Sequence, residues 1–384
     1  MKLITKNIII LFSALLLVFS CEKPDLTGDY GMKPAPLKGK PSPQPGYPLA
    51  ETATQLLVYG VWHAGNDYCT WGSARNMTEF DNNNSWLINR GDGNPSVNLV
   101  VLSFVNPLKL LQGTTDATTL NGIPKGMTSD VVRYFTDRDI RVMLSLGGIT
   151  YTDAWNSALD SDPVLLAEKA AAAAETLGVG IEIDYEENSN PRLTALETFI
   201  HTYRTLHPFD PRGEDPAARL TIDLAAGDRW LIDICRKATA EWLTVDDPVL
   251  DYANAMVPAR QPSASGALSN WHEHIIGKPQ YAPPILPLAP CKLTGALYIN
   301  SSKPIAECVN FYSSIQYLDR DYVTRIMPCG EGNTPGMLGY MFWAAECPST
   351  RSLCTTGKNT CTGGVGKGAE YFTIPVPMPA LRPD

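Results

Sequence analysis

The chain has 384 residues, of which 44% are hydrophobic and 18% charged, a composition typical of a globular protein with a full core. Its formal net charge is −9, and no run of Lys and Arg occurs. Because binding to a phosphate backbone needs clustered basic side chains, this charge argues against a nucleic-acid partner.

The first twenty residues have the pattern of an export signal. Lys2 and Lys6 precede an apolar run at 8–19, which is too short for a comfortable membrane span. The run ends at Ser20-Cys21, which resembles the lipobox of bacterial lipoproteins. We therefore predict a signal peptide at 1–20 and lipidation of Cys21, which would anchor the protein in the bacterial cell envelope, at the periplasmic face or the cell surface. A plain signal peptide followed by an incidental cysteine is the alternative.

Residues 21–51 are rich in Pro, Gly and Lys and lack apolar periodicity, so we predict a flexible tether there. Eight cysteines remain besides Cys21, and in an oxidising envelope they could pair as disulfides that the sequence does not specify. A zinc site is disfavoured because no CxxC pair occurs. We expect no metal, no other cofactor and a monomeric protein.

From residue 52 to 384, β-branched runs alternate with helical segments. Helices are predicted at Ser129–Asp139, at Pro163–Leu177, which has Gly178 just past its end, and around Arg192–Leu206. The predicted strands are Gln55–Trp62, Val97–Val105, Arg141–Leu146, Gly180–Glu186, Leu220–Ala225, Tyr252–Val257, Leu293–Ile299 and Leu338–Trp343. Eight strands in this alternation predict an α/β fold, a single TIM-type (β/α)8 barrel without a large insertion domain.

The fourth predicted strand carries alternating acids. Because side chains on a strand alternate between faces, Glu182, Asp184 and Glu186 share one face, and the residues between them share the other. Like charges so close resist joint ionisation, so we expect at least one raised pKa. A carboxylic acid kept protonated near neutral pH is suited to general acid catalysis of glycosidic cleavage. A solvent-exposed strand face and a Ca²⁺ or Mg²⁺ site are the alternatives.

This strand resembles the DGxDxDxE signature of glycoside hydrolase family 18, the chitinases and endo-β-N-acetylglucosaminidases. Gly180 falls on its glycine, Asp184 on its last Asp, and Glu186 on its proton donor. The chain departs from the signature at Val179, which replaces the first Asp, and at Glu182, which replaces the second.

Three further segments carry the resemblance. Residues 145–148 (SLGG) resemble the SxGG motif that ends the family's third strand, whose serine supports the acids. Residues 250–256 (LDYANAM) are similar to the sixth strand, but the Tyr that follows Met256 in the family and holds the substrate's acetamide is missing, so Arg260 or Gln261 is the expected substitute. Residues 339–343 (GYMFW) resemble the eighth strand, whose Trp forms the floor of the −1 sugar site.

The resemblance implies substrate-assisted retaining hydrolysis of β-1,4 linkages next to N-acetylglucosamine, without an enzyme nucleophile. It makes Glu186 the catalytic acid, Asp184 the residue that orients the acetamide, and Glu182 their support. The expected substrate-binding residues are Trp343, Tyr59, Trp62, Ser145, Gly148, Met256, Arg260 and Gln261.

Several aromatic residues have two possible interpretations. Tyr59 and Trp62 either line the cleft or simply pack in the core. Trp71 and Trp86, in a long first loop between His63 and Ser96, and Trp271 are either outer sugar platforms or packing anchors.

The stretch between the seventh and eighth predicted strands, 300–337, is short, which indicates a shallow, open cleft. That favours an endo-β-N-acetylglucosaminidase acting on an N-glycan, with a chitinase next. A barrel that has lost catalysis and captures glycans as a cell-surface lipoprotein is the alternative, and a purely structural lipoprotein leaves the acids unexplained.

Overall fold

The computed structural model describes residues 56–64, 76–225, 227, 230–256, 264–298, 337–343, 345, 369 and 372–381. Within these residues, eight parallel strands close into a barrel in the order β1-β10-β9-β8-β7-β6-β5-β2. The strands are β1 Val58–His63, β2 Leu99–Val105, β5 Arg141–Gly147, β6 Gly180–Asp184, β7 Leu220–Leu224, β8 Ala253–Ala255, β9 Leu293–Tyr298 and β10 Gly339–Trp343. The predicted (β/α)8 barrel is confirmed.

The helices that follow the strands cover the barrel. They are α1 Met77–Ile88, α2 Pro107–Gln112, α3 Ser129–Thr136, α4 Thr152–Ser161, α5 Pro163–Leu177, α6 Leu193–Leu206, α7 Ile232–Lys237 and α8 Ala264–Ile276. A short antiparallel hairpin, β3 Thr119–Leu120 with β4 Ile123–Pro124, lies outside the barrel. Among the described residues, no helix is long and apolar enough to cross a membrane.

Helix α5, one of the three helices predicted from the sequence, shows how local signals fix the ends of a helix. Asp162 caps its first turn by accepting a hydrogen bond from the Leu165 amide at 2.9 Å. Pro163 occupies the first helical position, where its missing N–H costs nothing. Gly178 ends the helix in the left-handed conformation, with φ +68°.

One region differs from the prediction. The segment between His63 and Ser96, expected as a long loop, contains helix α1. Its start is fixed by Asn76, whose side chain accepts hydrogen bonds from the amides of Thr78 and Glu79. The run of Asp and Asn inside this helix has low helix propensity and hid the element from the sequence pattern.

The apolar residues form two clusters. The larger one lies between the strands and the surrounding helices, and the smaller one fills the inside of the barrel. Met378 and Leu381, near the chain's end, pack into the inner cluster with Leu57 and Val58. The lower interior of the barrel is therefore filled with apolar side chains, which leaves the carboxyl ends of the strands as the place for a polar site.

Candidate active site

The inward face of β6 carries two buried acids. Glu182 is 0% exposed and Asp184 is 3% exposed, while Ile181 and Ile183 point outward into the larger apolar cluster. The strand ends at Asp184, so Glu186 lies just beyond it, half-buried, at the carboxyl end of the barrel. The predicted faces of Glu182 and Asp184 are confirmed and the alternative of a solvent-exposed strand face is wrong, while Glu186 lies beyond the strand predicted to carry it.

Glu182 is held by donors on both carboxylate oxygens. The Trp62 indole N–H donates to Oε1 at 2.7 Å, and the Asn254 amide donates to Oε2 at 2.7 Å. Burial raises the pKa of Glu182 to about 7, against hydrogen bonds that favour its ionised form. Ser145 pairs with Glu182 in the strand register and also lowers this pKa, although its hydroxyl makes no hydrogen bond of good geometry. Ser145 thus lies beside Glu182, the position that its predicted supporting role requires.

A fourth acid, Asp223 on β7, joins the cluster. It is 1% exposed and accepts a hydrogen bond from Asn254 Nδ2 at 2.9 Å. Burial raises its pKa well above the ordinary value, and the charges of Glu182 and Asp184 raise it further. Sequence reasoning missed Asp223, although Thr221 and Asp223 alternate with apolar residues on their strand just as the acids of β6 do.

The carboxyl of Asp184 is buried with little compensation from hydrogen bonds. One of its oxygens, Oδ1, is buried and has no hydrogen-bond partner. Burial raises its pKa well above the ordinary value, and the neighbouring charges of Glu186 and Glu182 act in the same direction. A buried carboxyl without a cation beside it is more stable in the neutral form, so the surroundings of Asp184 favour its protonated state.

Glu186 lies at the mouth of the barrel. Burial raises its pKa to about 7, and a hydrogen bond from the backbone amide of Ile149 opposes the rise. Ile149 directly follows the SLGG segment, so this bond crosses from the end of β5 to the end of β6. The side chain is therefore turned across the barrel mouth, with a proton that it can give up or take up near neutral pH.

Two glycines at the end of β5 position the acid strand. Gly147 has φ +119°, and a Cβ there would collide with the Asp184 carbonyl oxygen and with Trp155 Nε1. Gly148 has φ +82° and donates its amide N–H to that same carbonyl at 2.9 Å. Gly148 thus fixes the backbone of Asp184 through its amide N–H, and the substrate contact predicted for it stays a prediction.

The residues on either side of Glu186 are fixed by one side chain of α4. The Tyr185 hydroxyl donates to Asn156 Oδ1 at 2.5 Å, and Asn156 Nδ2 donates to Glu187 Oε2 at 2.9 Å. Glu187 also accepts hydrogen bonds from the amides of Ser189 and Asn190. This clamp holds the backbone around Glu186 in one conformation, which matters for a group that must meet a substrate atom.

Aromatic side chains line the mouth next to the acids. Trp343, the last residue of β10, is half-buried and lies 5.2 Å from the ring of Phe104, which is also half-buried. Trp62 pairs with Trp343 in the strand register and is buried, and its indole N–H donates a hydrogen bond to Glu182. Trp343 lies at the mouth, whereas Trp62 packs in the barrel interior, and the half-buried Phe104 adds an aromatic face that the sequence did not indicate.

Two aromatic predictions need correction. Tyr59 is 0% exposed and faces outward, packed against Tyr340 and Phe342, so it lies on the wrong side of the strand to contact a substrate. It comes three residues before Trp62 on the strand, and this odd spacing places the two side chains on opposite faces. Trp271 is also 0% exposed, with its ring against Gly295, and is a core residue rather than a sugar platform.

The remaining predicted residues fall into two groups. Trp86 lies half-buried on α1 and packs against the larger apolar cluster, as does Met256 directly after β8. Cys21, Trp71, Arg260 and Gln261 lie outside the described residues, so the roles predicted for them stay predictions. The same holds for cysteine pairing, since most cysteines also lie outside. Among the described residues, no group of His, Cys, Asp and Glu is arranged to hold a metal ion.

Fold and site together define a (β/α)8 barrel with Glu186 at its mouth and three buried carboxyls beneath it, all four with raised pKa values. No model of a known protein family matches the chain. No curated protein matches it either.

Several solved structures with a similar fold are chitinases. A family 18 chitinase from Pseudoalteromonas aurantia has 12% identity and a TM-score of 0.48, covering 74% of this chain and 93% of its own. The catalytic domain of chitinase B from Arthrobacter TAD20 has 13% identity and a TM-score of 0.47, covering 86% and 99%. A chitinase from Bacteroides thetaiotaomicron has 13% identity and a TM-score of 0.45, covering 75% and 89%. These values are too low for the likeness to carry an argument about activity.

Proposed function

We propose that this protein is a glycoside hydrolase with Glu186 as its general acid. The observation that supports the proposal is the setting of Glu186: it is half-buried at the barrel mouth with a pKa of about 7, beside the buried Asp184. A carboxylic acid that still holds its proton near neutral pH can protonate a glycosidic oxygen, and a partly dry site makes the transfer effective.

The proposed reaction is substrate-assisted and retains the anomeric configuration. A glycosidase that uses two carboxyls needs both of them beside the sugar. Of the four carboxyls in this cluster, Glu182, Asp184 and Asp223 are at most 3% exposed, and only Glu186 reaches the mouth. This arrangement favours attack at C1 by an oxygen of the substrate itself, and the 2-acetamido oxygen of N-acetylglucosamine is placed to do so.

The proton and bond changes then balance with one enzyme carboxyl. Glu186 gives its proton to the leaving oxygen as the acetamido oxygen bonds to C1, and the bond from C1 to the leaving oxygen breaks. The resulting oxazolinium ion is opened by water at C1, and Glu186 takes the proton of that water and is restored. Asp184 would accept the acetamide N–H once its carboxyl turns from its buried position toward the sugar. Trp343 offers its ring to the apolar face of the sugar.

For the substrate we propose glycans with β-1,4-linked N-acetylglucosamine, with endo-β-N-acetylglucosaminidase activity favoured over chitinase activity. The short stretch between β9 and β10 favours this order, because it leaves little chain to form the wall of a deep groove.

The test is incubation of the purified protein with a high-mannose glycoprotein and with chitotetraose, followed by mass spectrometry of the products. Glu186→Gln, which keeps the size of the side chain and removes its proton, should bind glycan and lose at least about a hundredfold in turnover. Near-normal turnover by this variant would remove the mechanism. Tight binding of intact sugar by the wild type would instead assign the protein as a glycan-binding protein.

We also propose that the barrel is displayed on the bacterial envelope through lipid on Cys21. The support is the signal-like segment at 1–20 and the Pro-rich stretch at 21–51. Cells given a radiolabelled fatty acid should label the wild type and not Cys21→Ser, and equal labelling of both would contradict the anchor.

A further inference from the structure

The bridge between Glu182 and Asp223 is the amide of Asn254. Its Nδ2 donates to Glu182 Oε2 at 2.7 Å and to Asp223 Oδ1 at 2.9 Å. On the other side, the Thr294 hydroxyl donates to Asn254 Oδ1 at 2.5 Å. A hydroxyl can donate to the amide oxygen while carboxyl oxygens accept from the amide nitrogen, so this arrangement fixes which end of the amide faces the acids.

We propose that Asp223 is a positioning residue that keeps a proton directed at Glu182, so that the negative charge goes to Glu182 when the buried cluster ionises. Thr294 and Asn254 hold the two carboxyls in the geometry that this sharing requires. The role goes beyond the family resemblance, which includes no acid of β7, and it rests on the proposed function insofar as Glu186 is the acid whose proton it tunes.

The donors around the two carboxyls decide which of them carries the charge. Glu182 accepts one hydrogen bond on each oxygen, from the Trp62 indole and the Asn254 amide, and neither donor can accept in return. Asp223 shares only the second of these donors. An ionised carboxylate is stabilised by each hydrogen-bond donor that points at it. Glu182 accepts more hydrogen bonds than Asp223, so Glu182 keeps the charge and Asp223 keeps the proton. In agreement, their contact lowers the pKa of Glu182 and raises that of Asp223.

The charged groups that face Asp223 make a second negative charge unfavourable. From β6 it faces Glu182 and Asp184, and from β8 it faces the neutral amide of Asn254. Two adjacent carboxyls in a dry interior titrate as a pair and do not ionise together near neutral pH.

The position of the shared proton affects the acids nearer the mouth through charge–charge interactions. The Glu182 carboxylate raises the pKa of Asp184, and Asp184 also feels the charge of Glu186. If Asp223 could no longer donate, Glu182 would itself take up a proton, the negative charge would leave the cluster, and the pKa values of Asp184 and Glu186 would fall. The proton on Glu186, which the proposed reaction uses, would then be lost at a lower pH.

Variants at Asp223 separate a proton donor from a space-filling residue. Asp223→Asn keeps an N–H that can donate to Glu182 and cannot ionise, whereas Asp223→Ala removes the donor. We expect Asp223→Asn to keep the pH at which turnover falls in the alkaline range, and Asp223→Ala to lower it by about one unit, roughly a tenfold loss above that pH. Thr294→Val, which frees the Asn254 amide, should shift it in the same direction by less. Thr221→Val, also buried on the inward face of β7 and with no partner for its hydroxyl, is the matched control and should shift nothing.

A second measurement does not depend on turnover. Infrared difference spectra at neutral pH should show a carboxylic acid C=O band that the wild type has and Asp223→Asn lacks. Loss of a carboxylate band instead would show that Asp223 is ionised and would overturn the proposal, as would equal pH shifts in the Asn and Ala variants. If the wild type cleaves no glycan but the infrared band behaves as expected, the proposed function fails and the proton-holding role of Asp223 stands.

Discussion

Trp62 on β1 donates its indole N–H to Oε1 of Glu182 on β6, with 2.7 Å between the two atoms, in a part of the barrel where both side chains are buried. A hydrogen bond to a charged group contributes more than one to a neutral group, about 1.5–3 against 0.5–1.5 kcal/mol. Because the pKa of Glu182 is about 7, the bond is charge-assisted only above that pH.

We therefore expect Trp62→Phe to lower the free energy of unfolding by more at about pH 8 than at about pH 5, a difference of about 1 kcal/mol. Urea denaturation at the two pH values measures it. Trp155→Phe is the matched control, because Trp155 is equally buried but donates to the backbone oxygens of Leu146 and Asp184, which do not titrate. A loss for Trp62→Phe that is the same at both pH values would show that the bond does not involve an ionised Glu182.

The raised pKa values also set how stability depends on pH. Glu182 and Glu186 have pKa values of about 7 in the folded protein and an ordinary value of 4.5. Between these limits the folded protein binds more protons than the unfolded chain, so its stability falls as the pH rises. Each group contributes up to about 1.4 kcal/mol per pH unit across this window.

Unfolding free energies measured from about pH 5 to pH 8 should therefore decline, and Glu186→Gln should reduce the slope by the share of one group. Glu187→Gln should leave the slope in place, because hydrogen bonds, first among them that from Asn156, lower the pKa of Glu187. A stability that rises over this range would mean that the carboxyls are ionised in the folded protein.

Turnover should follow the protonation of Glu186. The reaction needs the acid form, so its rate should be highest below a pH of about 7 and fall about tenfold per pH unit above it. A pH profile of kcat on the better of the two test glycans checks this. A profile that stays flat to pH 9 or so would indicate a different proton donor.

Much of this barrel could be predicted from local sequence patterns. Most of the eight strands were predicted from runs of β-branched and apolar residues, and α5 was predicted from Pro163 at its start and Gly178 just past its end. The acid face of β6 followed from alternation alone, because Glu182 and Asp184 had to share a side. These features depend on neighbours in sequence, and the structure agrees with them.

The features that could not be predicted from the sequence depend on contacts between residues far apart in the chain. Tyr59 and Trp62 are both aromatic and close in sequence, and only the closure of the barrel decides which one faces the acids. Asp223 lies 39 residues beyond Asp184 and joins its cluster through the register of β6, β7 and β8. The roles of Asn254 and Thr294 arise from the same register, with Asn254 opposite Thr294 on β9.

The clamp on the acid loop predicts a loss of rate without a loss of binding. Asn156→Ala removes the partner of both Tyr185 and Glu187, so the backbone that carries Glu186 becomes free to shift. A misplacement of about 1 Å can cost on the order of a hundredfold in rate, so we expect kcat to fall at least tenfold with KM within about twofold. Ser157→Ala, at an exposed position next along α4, is the control. Equal kcat values for the two variants would show that the clamp does not position Glu186.

The last prediction concerns the glycine that lets β5 pass the end of β6. Gly147 combines φ +119° with a Cβ direction that runs into the Asp184 carbonyl oxygen and the Trp155 indole. Gly147→Ala must therefore either strain the backbone or push the end of β6 away, and we expect a loss of at least about 3 kcal/mol in unfolding free energy. Gly113→Ala provides the comparison: its φ of +59° is also left-handed, but no atom lies within 4 Å of the added Cβ, so only about 1–2 kcal/mol should be lost. If the two variants lost equal stability, the collision would be relieved at no cost and the end of β5 would not hold the acid strand. If Gly147→Ala is the less stable variant, raising the temperature should abolish its activity before that of Gly113→Ala, since the displaced backbone is the one that carries Asp184.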